Sequence, residues 1–217
     1  MISLRSGCRL QGFVSFVIAM VVGITLGTIA AFTKHKWVDN LVIAIATAGV
    51  SIPGFLLALL LMIVFGVWLH IFPIVGLSSW KHYVLPAVSL ALSPIAMIAR
   101  LTRSSMMEVM RQDYMVLARS KGSSQLKVIV KHGLKNAMIP VITYAGPLIA
   151  TLMTGSFVIE SLFSVPGIGA EYVTSISNRD YTMIMGLTIF FGAFIIIANI
   201  ITDILNAVVD PRIKLDS

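Results

Sequence analysis

Few side chains in this sequence could carry covalent or metal chemistry. They are His35, His70, His82 and His132, the single Cys8, Ser156 in "TGSFV", and Asp203 within a long apolar run. Zinc hydrolysis of the HExxH kind needs two histidines one helical turn apart with a glutamate between, and no histidine pair here has that spacing. A serine nucleophile needs a base to take its proton, and no histidine is placed to serve Ser156. Asp203 is the only acid deep in an apolar run, where an intramembrane aspartyl protease needs two. The phosphate-cradling GxxxxGK[ST] loop is absent, so nucleotide hydrolysis is not expected of this chain. No catalytic residue, metal set or cofactor is legible. If a metal were bound directly, His70 and His82 would be the candidates. A lone cysteine also excludes a disulfide within the chain and any CxxC redox motif. What remains is the chemistry of docking and helix contact, concentrated in "DYMVLARSKGSSQLKVIVKHGLKNAMIP", residues 113–140.

The elements that must position this segment follow from composition. Apolar residues make up 58% of the chain and charged ones 12%, against about 25% charged in an average soluble domain. Lipid must therefore solvate most of the surface, and an all-α, polytopic transmembrane bundle of about five spans is expected. The spans are read as about 11–33, 41–68, 84–100, 137–159 and 182–209. The first is too long for a signal-peptide core. Residues 1–10 are read as an N-terminal flank, 11–209 as one transmembrane domain with a cytoplasmic loop at about 100–136, and 210–217 as a tail. Between the last two spans, "IESLFSVPGIGAEYVTSISNRDY" is too polar to face lipid.

Orientation follows from Lys and Arg in alternate loops. One side holds twelve, namely Lys34, Lys36, the eight from Arg100 to Lys135, Arg212 and Lys214, and the other side four. The richer side, with the C-terminus, is expected in the cytoplasm of a cell-membrane protein. These cations cluster beside apolar spans and do not interleave with aromatics, which argues against nucleic acid as a partner. An odd number of spans places Arg5 and Arg9 outside, an awkward topology that one further upstream span would resolve.

Within the spans, Ala19, Gly23, Gly27 and Ala31 form a stripe of small residues, the mark of a close helix contact. Prolines at Pro53, Pro86, Pro94, Pro140 and Pro147 are expected to kink their helices, either as ordinary packing or as the outline of a cavity. Asn199, Asp203 and Asn206 share a face of the last span, as interhelical polar contact near the interface or as the lining of a path.

The basic segment reads as helix, glycine bend, helix. Asp113 offers an N-cap, Tyr114, Leu117 and Ala118 form a compact apolar face, and Gly122 stops the helix. Leu126, Ile129, Val130 and Gly133 then line one face of a second helix, with Lys127, Lys131 and Lys135 on another. The pattern alone leaves two uses open: a helix lying on anionic headgroups, or a knob entering a groove on another protein.

"YMVLARSKGSSQLKVIVKHGLKNAMIPV" resembles the cytoplasmic "EAA" loop of permease subunits of ATP-binding-cassette importers, in the peptide and nickel branch. "SIPGF" (51–55), "VLPAVSLALSPIAMIARLTRSSMMEVM" (84–110), "FSVPGIG" (163–169), "NRDY" (178–181) and "DPRIK" (210–214) resemble further pieces of that branch, in its order. The resemblance implies a type I importer permease fold in which this loop docks on a cytoplasmic ATPase. Asp113, Tyr114, Val116, Leu117, Ala118, Arg119, Lys121 and Gly122 are the residues it assigns to coupling. Val116, Leu117 and Ala118 stand at the E, A and A places. Val116 is not acidic and Leu117 is not small, so apolar contact, with Arg119 and Lys121 as charge partners, replaces the acidic contact. Glu160, Phe163, Pro166, Gly167 and Gly169 are assigned to an outer gate or to contact with a binding protein, and Pro53, Pro94, Asn199, Asp203 and Asn206 to the pathway or to helix packing. The implied partners are a second, related permease, two ATPase subunits, an extracytoplasmic solute-binding protein and the bilayer. The implied cargo is peptide, with nickel or metal chelates and glutathione as alternatives. The family pattern also implies one span upstream of this region, so a non-transporting fragment is the remaining alternative.

Overall fold

The structure, a computed structural model, describes residues 2–33, 36–74, 79–120, 128–154, 156–165 and 167–209. All elements among them are helical. Helix α1, Ile2–Phe32, is 31 residues long and takes in most of the stretch read as a flank. Helix α2 is Lys36–Ser51 and α3 is Gly54–Leu61, the latter continuing as a π-helical stretch, Met62–Trp68. Helix α4, Lys81–Val109, runs without interruption for 29 residues. The short α5 is Asp113–Ser120. A second π-helical stretch, Val128–Leu134, passes into a helical turn, Lys135–Ala137, and the two together are α6. Then come α7, Ile139–Thr154; α8, Phe157–Leu162; α9, Ile168–Ser177; and α10, Tyr181–Val209.

Four segments are long and apolar enough to cross a bilayer: Gln11–Phe32, Lys81–Val109, Ile139–Leu162, which includes one residue outside the described set, and Tyr181–Ile204. The stretch read as a single second span is broken. Ile52 leaves the helix, Pro53 takes φ −55° and ψ 133°, and its carbonyl accepts the Leu56 amide at 2.9 Å to start α3. Proline cannot donate into the ladder, and the residue before it is pushed out of helical geometry. Pro86 and Pro94, both buried, do not end α4. Pro140 lies in the first turn of α7, where an amide proton has no helical acceptor to lose.

The centre is α4, with α1 laid along it. Ala19 is fully buried, and side chains added at Gly23 or Gly27 would collide with Ile98 or with the Ala99 carbonyl and Thr102. The small-residue stripe is therefore the α1–α4 contact, although Ala30 rather than Ala31 is the buried residue at its lower end. Lipid tails are as apolar as these helices, so close backbone approach and dispersion, rather than escape from water, hold the pair together. Ser15 adds a polar tie, its hydroxyl donating to Ala87 O at 3.0 Å and to Gln11 O at 2.8 Å. Val141, Leu148 and Leu152 bring α7 into the same core as Ala91 and Ile98 of α4. A second cluster joins Ala58 of α3 and Leu85 of α4 to Ile159, Phe163 and Val165 around α8. Gly146 of α7 seats Thr202 of α10, with no room for a side chain between them.

Candidate functional site

Helix α5 is an offshoot of α4. Met110, Arg111 and Gln112 alone separate them, and the turn is closed by bonds from Arg111 N–H to Glu108 O and from Gln112 N–H to Val109 O, both 3.1 Å. Asp113 is the first residue of the helix, one place further in than the cap predicted for it. Met115 is fully buried, while Tyr114 is 39% and Leu117 56% exposed. One face therefore holds the helix to its own chain and another is presented outward. Asn136 of α6 donates to the Tyr114 hydroxyl at 3.0 Å, which fixes the ring at the edge of that outward face. Val116, Ala118 and Arg119 lie along α5. Lys121 and Gly122 lie outside the described residues, as do Leu126 and Lys127.

At the other candidate site the structure brings Glu160, Gly167 and Gly169 together. Glu160 is 2% exposed, a buried carboxylate on α8. Its Oε2 accepts the Ala170 amide at 2.8 Å. Ala170 is in the first turn of α9, whose amides have no carbonyl of their own helix to bind, so Glu160 caps α9 from a neighbouring helix. Gly167 and Gly169 make room for it: a side chain at Gly167 would strike the carboxylate, and one at Gly169 would lie 2.9 Å from Oε2. The loop also folds back through Val165 N–H to Glu160 O at 2.8 Å. Phe163 is buried against α3 and α4. Glu160 and Phe163 therefore point into the chain itself. Pro166 lies outside the described residues.

The residues assigned to a pathway are dispersed. Pro53 is exposed and marks the α2–α3 break, whereas Pro94 is buried within α4. Asn199 is half-buried, with its Oδ1 enclosed and unpaired among the described residues, and Asp203 is exposed. Asn206 lies in the last turns of α10. Among the described side chains of this helix Thr202, not Asp203, is buried, because α10 turns Thr202 toward Gly146. An apolar groove of about 360 Å³ opens beside that contact, between Phe16 of α1, Ile149 of α7 and Ile197 of α10. His70 and His82 bond to nearby carbonyls, Trp68 O at 3.3 Å and Ser79 O at 3.1 Å. Among the described residues no group of three His, Cys, Asp or Glu side chains is placed to hold a metal ion.

The sequence reading missed Met115, which the apolar face drawn from Tyr114, Leu117 and Ala118 left out. Met115 follows Tyr114 directly, about 100° further round α5. An apolar residue among outward-facing ones was the available signal.

A family profile described as "Binding-protein-dependent transport system inner membrane component" matches residues 23–215. A dipeptide transport system permease protein, DppB, of Bacillus subtilis (strain 168) is 48% identical over 204 residues, which is 94% of this chain and 66% of the relative. DppB of Lactococcus lactis subsp. cremoris (strain MG1363) is 38% identical over 216 residues, 99% of this chain and 71% of the relative. A glutathione transport system permease protein, GsiC, of Escherichia coli (strain K12) is 42% identical over 200 residues, covering 92% and 65%. The chain thus spans about two thirds of the length of the curated relatives it matches. Among solved structures, the MetNI methionine ABC transporter in inward-facing conformations superposes with a TM-score of 0.68 at 18% identity, covering 95% of this chain and 93% of that one. An amino acid ABC transporter with histidines gives 0.70 at 13%, covering 95% and 92%.

Proposed function

The chain belongs to the family of binding-protein-dependent transport system inner membrane components, and on that premise we propose that it is a membrane-spanning permease subunit of an ATP-driven importer of peptides. The observation that carries the proposal is the division of α5, with Met115 buried and Tyr114 and Leu117 outward. A helix laid on headgroups turns its apolar face to lipid and surrounds it with cations. Here the outward apolar residues stand beside Asp113, on a helix bonded to its own chain, which suits a groove on a protein partner.

In this reading α5 docks on one of two cytoplasmic ATPase subunits, through apolar contact at Tyr114, Leu117 and Ala118 with Arg119 and Lys121 as charge partners. The C-terminus and the basic segment lie in the cytoplasm. A second permease completes the path, and a binding protein outside delivers the solute. Closure of the ATPases is felt by α5 and rocks the helices between two states of access. The 100–136 region forms the coupling loop of a single permease domain. Glu160, Phe163, Gly167 and Gly169, packed into their own chain, shape the outer end rather than touch the binding protein themselves. Peptide is the favoured cargo on the DppB relatives, and the GsiC relative at 42% identity supports glutathione, itself a tripeptide, as the second reading.

The test is capture of the ATPase by the tagged chain in mild detergent, with Leu117→Asp as the variant. An acid placed in an apolar groove is expected to lower capture about tenfold or more, equivalent to ~1.4 kcal/mol. Equal capture by both forms would remove α5 from the docking site. Competition of labelled dipeptide uptake by unlabelled dipeptide or glutathione then separates the two cargoes.

A further inference from the structure

We propose that Met106, Met110 and Met115, meeting over Gly133, form the joint through which a displacement of α5 reaches α4. The inference rests on the permease reading for its consequence, though not for its geometry. A short hydrogen-bonded turn links the two helices: Met110 N–H bonds Met106 O and Met115 N–H bonds Gln112 O, both at 3.0 Å. Such a turn is a pivot, and a pivot alone lets a lever swing without moving what it is attached to. A second attachment is needed to carry load, and the side chains supply it. Met106 and Met115 are fully buried. A side chain begun at Gly133 would lie 3.3 Å from the Met110 sulfur, 3.4 Å from Met106 Cε and 3.5 Å from Met115 Cε. Three thioether ends, one from the last turn of α4, one from the turn that follows it and one from α5, therefore converge on one bare backbone position of α6. The bond from Asn136 to Tyr114 ties α5 to α6 a second time.

The residue type matters as much as the place. A β-branched side chain has one strongly preferred rotamer in a helix, so a joint built from valine or isoleucine would fit one tilt of α5 only. Methionine has three rotatable bonds and a polarizable sulfur, and fills irregular gaps at small cost. The trio can repack as α5 tilts and stay in contact, so that force passes to α4 at every angle.

Three variants separate slack from jamming. Met115→Ala opens a void, Met115→Leu nearly refills it, and Gly133→Val thrusts branched carbons among the three methionines. The first measurement uses the chain in lipid nanodiscs, with Cys8→Ser and spin labels at Ser104→Cys on α4 and Leu117→Cys on α5. Met115→Ala should roughly double the width of the distance distribution and Met115→Leu should leave it narrow; an unchanged width in Met115→Ala overturns the joint. The second measurement uses the assembled importer without labels. Met115→Ala and Gly133→Val should capture the ATPase as the parent does, while solute moved per ATP hydrolysed falls about tenfold. An unchanged ratio, or capture and transport falling together, also overturns the joint. A parent chain that captures no ATPase would defeat the permease reading instead, and the distance widths would still decide whether the methionines tie α5 to α4.

Discussion

Glu160 shows how one side chain acquires a role that its neighbours in sequence do not state. An acid ahead of "FSVPGIG" reads as a polar group near a membrane surface. In the fold it lies 2% exposed and accepts the Ala170 amide at 2.8 Å, with two glycines leaving the space that its carboxylate fills. Glu160→Ala would strand that amide and open a void, at a cost of about 1–3 kcal/mol. Glu160→Gln keeps an acceptor oxygen of the same reach and should recover at least half of the lost stability. Thermal unfolding in detergent compares them, and equal losses in both variants would mean that charge rather than the bond is what the site requires. Gly27 is the contrasting case, a tight contact without charge. Gly27→Val would press on the Ala99 carbonyl and Thr102, and overpacking of a tight contact costs about 1–3 kcal/mol. That glycine was legible from the four-residue stripe, because small residues at that spacing have one common use in a membrane.

Among the elements, proline was the least predictable guide. Five prolines in apolar runs promised similar kinks, yet α4 passes Pro86 and Pro94 as one helix while the second run breaks at Pro53. The difference lies in what surrounds them. Pro86 and Pro94 are buried where α1, α3 and α7 press on α4, so packing holds the helix across the missing bonds. Pro53 is exposed, and Gly54 beside it has no neighbouring atom within 4 Å of where a side chain would begin. Nothing there opposes the break. Pro53→Ala should therefore let the helix close up. One added backbone bond worth ~1 kcal/mol would slow amide exchange around Ile52 to Gly54 roughly five-fold, and unchanged exchange there would mean that the bend is imposed by packing elsewhere. The π-helical stretches at Met62–Trp68 and Val128–Leu134 were not legible at all. A shift from four to five residues per bond depends on local crowding, as where Gly66 meets Ile74.

For the whole molecule, burial is lopsided. Helices α1, α4 and α7 share a core, whereas Ile189, Ile196 and Ile204 on α10 are each more than half exposed. In water such a helix would be a defect; in a bilayer it is an ordinary lipid-facing or chain-facing surface. Ile196→Arg near the middle of α10 should cost roughly 2.5–3.5 kcal/mol of insertion, seen as a smaller membrane-integrated fraction, with Ile196→Ala close to the parent. An arginine tolerated there would indicate a water-filled surface at that depth.

The sequence by itself determined that the chain is a helical membrane protein, where most apolar runs lie, that α1 carries a packing face, and, through ordered motifs, which family it belongs to. These are local properties: hydropathy over twenty residues measures transfer into a uniform apolar solvent, and motif order needs no contact between motifs. Tertiary structure alone decided that Glu160 caps α9, that Met115 is the buried anchor of α5 and that Thr202 rather than Asp203 faces α7. Each depends on atoms brought together from distant parts of the chain. Because lipid does not drive helices together, the choice of which faces meet rests on shape and close approach, and no periodicity along a single helix encodes the shape of its neighbour.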